Sequence, residues 1–515
     1  MQKFCHIIPH IVKWPYLLYN LYRICSFYSY KAYRGVTMSK FSILLKEVIN
    51  QSNNTIYSIA KDINYDRATL TNQINGKRKM SKEIFLKVIN NINITENTKQ
   101  KLISAFHKEY LGENYNTFEI IKKSFISYSE ISYLRNINLD MTVTNNTHIS
   151  IPTGKISGKL YVVSSIQNII ANEFQNDNPC LFINLDTSNR DILAHITKTY
   201  TLYSSTKNIK METIINFFAN SNSSIDNFTK FINLLPLLLN GLCPHYCFVE
   251  NSIKSNMSVL FPFYVISSNH LIIVSQWYDS AFVINDKSMI DFYQSEFKKR
   301  INQCKKFTLD SIDLFEMPNL FNTSLDNENE NTLYGFGEQF CAMPFLSINE
   351  LSYMFSDSVK NINTVSSTLL SCYKKINTMI SYCPVESIIE FAKSGKDGHT
   401  DNPLAKPLTK EMRIDVLKRI QYAINNGMGY YFVNKNNIFC NNLTFNIISD
   451  SKIVFFSYDD KIATKQNISV ITTPSGLLNE LKNFFCTLNK SCYVLSKSDA
   501  IRELERGIEF IKNMN

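Results

Sequence analysis

Residues 55–78 read Thr55-Ile-Tyr-Ser-Ile-Ala-Lys-Asp-Ile-Asn-Tyr-Asp-Arg-Ala-Thr-Leu-Thr-Asn-Gln-Ile-Asn-Gly-Lys-Arg78, and their spacing predicts two short helices joined by a tight turn. Thr55 is a good N-cap for the first, and the second begins near Asp66 after the break at Asn64-Tyr65. Helices that cross steeply need a small residue where they touch. Ala60 supplies it, flanked by Ile59 and Ile63. Asn64 falls where the turn calls for a left-handed backbone, which Asn tolerates better than most residues though less readily than Gly. Leu70 points inward from the second helix, leaving Arg67, Ala68, Thr69, Thr71 and Asn72 on its outer side.

The surrounding sequence extends this into a helical domain. Upstream, Phe41, Leu44, Leu45, Val48 and Ile49 share one face of a helix that ends at Asn50 to Asn54. Downstream, Ser81 opens a helix with Glu83 in its first turn and Ile84, Phe85, Val88 and Ile89 as its apolar face, and another follows Thr95. Five short helices thus fit within 38–111. The chain carries a formal charge of +10. Residues 1–37 hold five basic and no acidic residues, residues 38–125 hold 14 basic against eight acidic, and 126–515 hold 35 against 36. The positive charge therefore lies wholly at the N-terminal end, as expected when one small module meets a polyanion and the rest does not.

The outer residues of the second helix are types that read base edges: Arg pairs with guanine, Asn with adenine, and Ala or Thr methyls touch the thymine methyl. On Ile59-Ala60, Asp66 to Leu70 and Asn75-Gly76-Lys77-Arg78, the segment resembles the Cro and phage-repressor family of helix-turn-helix regulators, also called the XRE family. Two positions depart from its pattern: Gln73 stands where the family has an apolar residue, and Asn64 replaces the usual Gly. The resemblance covers the N-terminal helical region alone. It implies that Arg67, Ala68 and Asn72 face the major groove and that Thr55, Asn75 and Lys77 lie near phosphates, with Thr69, Thr71 and Arg78 completing the DNA-binding set. The partners it implies are double-stranded DNA and a second copy of the chain on paired half-sites. The run Lys77-Arg78-Lys79 taken alone would read as solvated surface.

With 515 residues, 44% apolar and 19% charged, the chain is a folded multidomain protein rather than a disordered or fibrous one. We read 1–37 as a start-site extension, with a surface-lying membrane anchor as the competing reading, because Met38 begins a more ordinary sequence. The helix-turn-helix domain is 38–125, a linker follows over 126–158, and two α/β modules occupy 159–325 and 332–515. Val283-Ile284, Ser288, Ile290, Phe297 and Ile301 align at an offset of 187 with Val470-Ile471, Ser475, Leu477, Phe484 and Leu488, each copy a strand followed by an amphipathic helix. A tandem duplication is one reading of this, with the acidic run Asp326 to Asn331 as the boundary between copies. In the second module Thr409 caps a helix that places Ile414, Leu417, Ile420 and Ile424 on one face and that Gly427 closes. The fold class is thus an all-α N-terminal domain followed by α+β modules.

No segment reads as a membrane span. The longest apolar stretch, Phe231 to Leu242, contains Asn233, Pro236 and Asn240 and reads as a core helix broken at Pro236. Twelve cysteines without any Cys-x-x-Cys pair suit a reducing cytoplasm. Cys243-Pro-His245-Tyr-Cys247 lacks the second pair of a tetrahedral zinc site and reads as buried thiols. Gly154-Lys-Ile-Ser-Gly-Lys159 lacks one spacer and the Ser/Thr of a phosphate-binding loop, Gly335-Phe-Gly337 is a lone Gly-x-Gly, and Asp397-Gly-His399 reads as a turn. No catalytic residue, cofactor or metal is expected. The leading expectation is a cytoplasmic, sequence-specific transcription regulator whose C-terminal modules sense an unidentified effector, dimerise, or both. The alternatives are an enzyme or effector with an autoregulatory helix-turn-helix, and an antitoxin-like or phage-defence scaffold.

Overall fold

The computed structural model describes residues 38–136, 150–187, 189–204, 206–219, 224–249, 261–312, 316–325, 332–337, 341–355, 362–374, 376, 378–396, 405–434, 444–457 and 467–514. The extension 1–37, the acidic run at 326–331 and Asp397-Gly-His399 lie outside them. Residues up to Tyr115, with Lys490–Cys492, form one compact unit; Asn116–Asn489 and Tyr493–Asn515 form a second.

The first unit is helical: α1 (Lys40–Gln51), α2 (Ile56–Asp62), α3 (Arg67–Ile74), α4 (Lys82–Asn90) and α5 (Glu96–Tyr110). These are the five helices the sequence predicts, four of them capped by Thr55, Asp66, Ser81 and Thr95, whose side-chain oxygens accept first-turn N–H groups. Phe41, Phe85 and Phe106 form the centre of the core, with Phe85 and Phe106 stacked at 4.3 Å and Phe41 set edge-on to both.

Of the segment expected to be a linker, 126–136 and 150–158 are described. Helix α6 (Asn114–Asn136) runs through its first part and strand β1 (Gly154–Ser157) ends it. The helix exists because Phe118, Ile121 and Phe125 bury one stripe, and that stripe is interrupted by enough Ser, Tyr and Asn to blur its period.

The second unit then runs α7 (Lys159–Gln175), β2 (Cys180–Asn184), α8 (Arg190–Tyr203), β3 (Lys210–Phe218), α9 (Ser224–Leu239), β4 (His245–Val249), β5 (Phe263–Ile266), β6 (Leu271–Val274), β7 (Ser280–Ile284), α10 (Lys287–Ile301) and β8 (Lys305–Lys306). Next come β9 (Thr308–Ile312), α11 (Met317–Leu325), β10 (Thr332–Phe336), α12 (Ile348–Met354), α13 (Ile362–Lys374), β11 (Thr378–Pro384), α14 (Ser387–Ser394), α15 (Lys410–Asn425), β12 (Gly429–Val433), β13 (Thr444–Ile447), β14 (Lys452–Ser457), β15 (Asn467–Thr472), α16 (Asn479–Leu488) and α17 (Lys497–Lys512). Two mixed sheets result, ordered β1-β7-β6-β5-β2-β3-β4-β8 and β12-β11-β10-β13-β14-β15-β9.

Read from opposite ends, the two orders are the same over seven strands, the eight-stranded sheet adding β8 beyond β4. In each sheet three consecutive strands pair in parallel (β2-β3-β4; β10-β11-β12). Three antiparallel strands extend from the first of these, and the opening strand of the half returns to pair antiparallel with the last (β1 on β7; β9 on β15). Strand β9 falls inside the 159–325 segment that the sequence assigns to the first module. Its hydrogen bonds place it in the second sheet, so the halves meet next to β8 and not at 326–331.

The helices α10 and α16 correspond as the sequence alignment suggests, but one residue further on. Phe297 packs on Phe182 and Tyr264, while its counterpart on Tyr334 and Phe445 is Phe485, an offset of 188 in place of 187. The extra residue is taken up in the longer β15–α16 connection.

Pro236 does not break its helix. Helix α9 continues from Ser224 to Leu239 around it. An interior Pro costs about 3 kcal/mol, which the burial of Phe228, Phe231, Ile232, Leu234, Leu235, Leu237 and Leu238 on all sides of α9 exceeds. No described helix is long and apolar enough to cross a membrane.

The second sheet rests on the α6 stripe. Phe125 is fully buried and stacks on Phe336 at 5.4 Å, with Phe445 and Phe484 at 6.1 and 5.6 Å. Phe125→Ala is expected to lower the stability of the second unit by about 3–5 kcal/mol, read as an earlier midpoint in urea unfolding of the full chain. An unchanged midpoint would contradict this packing.

Candidate nucleic-acid interface

The turn between α2 and α3 is built by backbone capping. Asn64 is left-handed (φ 50°), and it lets the Tyr65 N–H reach the Ala60 carbonyl at 2.8 Å while its own N–H reaches Lys61 at 3.1 Å. This paired pattern satisfies the last carbonyls of α2 and turns the chain within two residues. The same device recurs at the other end of α3. Gly76 (φ 72°) lets the Lys77 N–H bond to Asn72 and its own N–H to Gln73. An ideal Cβ at Gly76 would stand 3.0 Å from the Ser42 hydroxyl, so both conformation and space favour glycine there.

Between these turns α3 is held from one side. Leu70 and Ile74 are fully buried, as are Ile59 on α2 and, nearly so, Ala60. Asp66 caps the N-terminus by accepting the Thr69 N–H at 2.7 Å. The hydrogen bonds from Thr69 hold its carboxyl below the usual carboxylate range. Thr55 and Ser58 cap α2 reciprocally, each side chain accepting the other's backbone N–H at 3.0–3.1 Å.

The residues singled out in the sequence divide clearly by exposure. Arg67, Ala68, Asn72, Thr55, Lys77 and Arg78 are exposed, and Thr69, Thr71 and Asn75 are half-buried. The Thr71 hydroxyl donates to the Arg67 carbonyl at 2.8 Å, so its hydrogen already has a partner and its methyl is the part left to contact a ligand. Gln73 is buried, as a residue in an apolar position of α3 must be. Its amide nitrogen donates to the Lys79 carbonyl at 3.3 Å, while Oε1 has no hydrogen-bond partner among the described residues.

One neighbour escaped the sequence reading. Tyr57 lies 60% exposed on α2, and the Arg67 guanidinium sits over its ring at 5.6 Å. The stacking gives a long cation a fixed direction on the outer face. Its signal in the sequence, an aromatic two residues after an N-cap, is too common to single out.

The other described motifs fall on or beside β1, β4 and β10. His245 and Cys247 share one side of β4, where burial pushes the imidazole pKa down, and the Cys247 thiol donates to the Asn216 side chain at 3.2 Å. Among the described residues no group of three or more His, Cys, Asp or Glu side chains could hold a metal ion. Gly154 and Gly158 bracket β1, and Gly335 lies within β10 and Gly337 just after it.

No family model matches the chain, and no curated protein does. Among solved structures it is similar to TrmBL2, an archaeal chromatin protein whose structure shows a novel mode of DNA binding, at 7% identity and a TM-score of 0.21 over 53% of this chain and 95% of that one.

Gln73→Leu is expected to stabilise the first unit by about 1 kcal/mol, because it removes a buried acceptor that lacks a partner and keeps the volume apolar. Thermal unfolding of the full chain reads this, and a lowered transition would show the bond to Lys79 to be worth more. The Asp66 cap carries a pH signature of known sign. Its carboxyl is depressed in the folded state, so its contribution is complete above the ordinary Asp value of about 3.9 and is lost as pH falls through the lower folded value. Carboxyl chemical-shift titration should place Asp66 below that ordinary value; a midpoint at or above it would remove the cap's electrostatic role.

Proposed function

We propose that this chain is a sequence-specific double-stranded-DNA-binding regulator of transcription, that α2 and α3 are a helix-turn-helix of the XRE type, and that the α/β halves sense an effector or supply dimerisation. The observation that carries the reading is the two-sidedness of α3. Leu70, Gln73 and Ile74 are buried, and Arg67, Ala68 and Asn72 are exposed, with Arg67 stacked over Tyr57 on the outer face. Exposed residues on a short, firmly capped helix are free to read a groove, and these types match base edges.

Charge and length support it. The net positive charge of the chain is concentrated before residue 126, and α3 with its eight residues spans about 12 Å at 1.5 Å per residue, the width of a B-DNA major groove. Lys77, Arg78 and Lys79 follow the Gly76 turn, all exposed, where they can neutralise phosphates. In this mechanism no bond is made or broken. Base contacts from α3 set sequence preference, phosphate contacts set register, and two copies of the chain occupy paired half-sites because one small helical unit makes too few contacts for tight binding.

The test is selection of a preferred duplex from a random pool by the full chain, followed by affinity measurements on that duplex. Arg67→Ala and Asn72→Ala should each cost on the order of 1–3 kcal/mol and relax preference at one position per half-site. Lys77→Ala should weaken binding to all duplexes alike and reduce the slope of log affinity against log salt by about one per half-site. Failure to enrich any sequence, or a double Arg67, Asn72 variant with unchanged affinity and preference, would overturn the assignment.

A further inference from the structure

The two halves of the second unit share one strand order, so each position in one sheet has a counterpart reached by stepping across the paired registers. Starting from Val283 and Val470, the register carries Asn184 to Phe336, Asn216 to Pro384, Cys247 to Val433 and Tyr264 to Phe445. The helix offset set by Phe297 and Phe485 carries Arg300 to Leu488. Every one of these positions is apolar in the second half and, except for the thiol of Cys247, strongly polar in the first.

In the first half the side chains converge. The Arg300 guanidinium donates to Asn216 Oδ1 at 2.8 Å, and Tyr264 stands opposite Asn184 across the β2–β5 pair. Asn216 Nδ2 donates to Asn184 Oδ1 at 3.3 Å, and Asn184 in turn donates to the Pro262 carbonyl at 3.0 Å. Lys230 Nζ donates to the Asn216 carbonyl at 2.7 Å and stands 4.0 Å from Asp186. Asn184 is fully buried and Arg300 half-buried, yet no carboxylate of a described residue forms an ion pair with Arg300. A half-buried guanidinium whose partner among the described residues is a neutral amide has N–H donors left for something else.

Position in the sheet agrees. Asn184 ends β2, and Asn216 lies near the end of its parallel partner β3, so the cluster sits toward the carboxyl ends of the parallel strands, where open α/β sheets bind ligands. In the second half the counterpart place is filled by the ring of Phe125, stacked on Phe336 and against Phe445. The fold itself therefore does not require polar groups there.

We propose that Arg300, Asn184, Asn216 and Tyr264 form a binding site for a small oxyanion, a phosphate or a carboxylate, toward the carboxyl ends of β2 and β3, with Arg300 supplying the charge. The site belongs to the first α/β half and stands whether or not the N-terminal unit binds DNA. Calorimetric titration of the full chain with sodium phosphate and, separately, sodium acetate, each against sodium chloride at matched ionic strength, tests it directly. Saturable heat from one of the two anions, weakened at least tenfold in Arg300→Met and less in Arg300→Lys, is the expected result, and the anion that saturates identifies the ligand class. Two outcomes overturn the proposal: neither anion differs from chloride, or Arg300→Met binds as the wild type does. The wild-type comparison requires no variant, so the proposal can fail even where Arg300→Met does not fold.

Discussion

The antiparallel pairing of β9 with β15 is the constraint on which the α/β region depends. A strand at a sheet edge presents a row of unpaired N–H and C=O groups, and the Asn467–Thr472 strand would do so if Thr308–Ile312 did not lie along it from Ile312 to Thr308. Because β9 follows α10 and β8 directly in the chain, this single ladder decides where one half stops and the next begins. It also makes β9 the counterpart of β1, which closes the first sheet on β7 in the same sense. Once both closures are recognised, the remaining strands fall into the same order with the same parallel and antiparallel senses, and residues in the two halves can be compared one by one.

The helical unit obeys a different economy of contacts. Helices of seven and eight residues are too short to persist alone in water, so α2 and α3 owe their existence to Ile59, Ala60, Leu70 and Ile74 in the core and to the caps at their ends. Asn64 and Gly76, both left-handed, bracket α3 and let it start and stop within a few residues. With the buried side chains of α3 being Leu70, Gln73 and Ile74 and termination handled by the backbone, Arg67, Ala68 and Asn72 are left exposed on its outer side.

Much of the helical unit was legible because its information is local. An N-cap hydroxyl, a carboxylate in the first turn and an apolar period act within four residues, and Thr55, Ser81, Thr95 and Thr409 all cap the helices expected of them. The misses share the opposite character. Thr308-Leu-Asp-Ser-Ile312 has only two apolar residues, and its strand state comes from a partner more than 150 positions away. Helix α6 was not expected: its first half was assigned to the helix-turn-helix domain and 126–136 to the linker, because its apolar stripe is thin and its packing partner is the distant aromatic face of the second sheet. Arg300 was invisible for a further reason: in Lys298-Lys299-Arg300 it reads as one of three cations complementing the end of α10, and nothing local distinguishes the one that turns inward to Asn216.

The comparison between halves also bears on the energetics of that inward turn. Taking an amide and a guanidinium partly out of water is unfavourable unless each finds partners, and even a fully bonded polar cluster is commonly no more stable than the apolar packing that could replace it. The second half supplies that replacement within the same chain: Phe336, Phe445 and Leu488 stand at the counterpart positions, buried, with Phe125 packed among the rings. Both solutions are thus compatible with one strand order and one helix position. The polar solution leaves a cation hydrogen-bonded to the neutral amide of Asn216, an arrangement suited to receive negative charge that contributes little to the core. The apolar solution fixes α6 on its sheet. One scaffold built twice in this chain therefore carries two separable duties, with rigidity assigned to the half that packs rings and recognition to the half that keeps its charge.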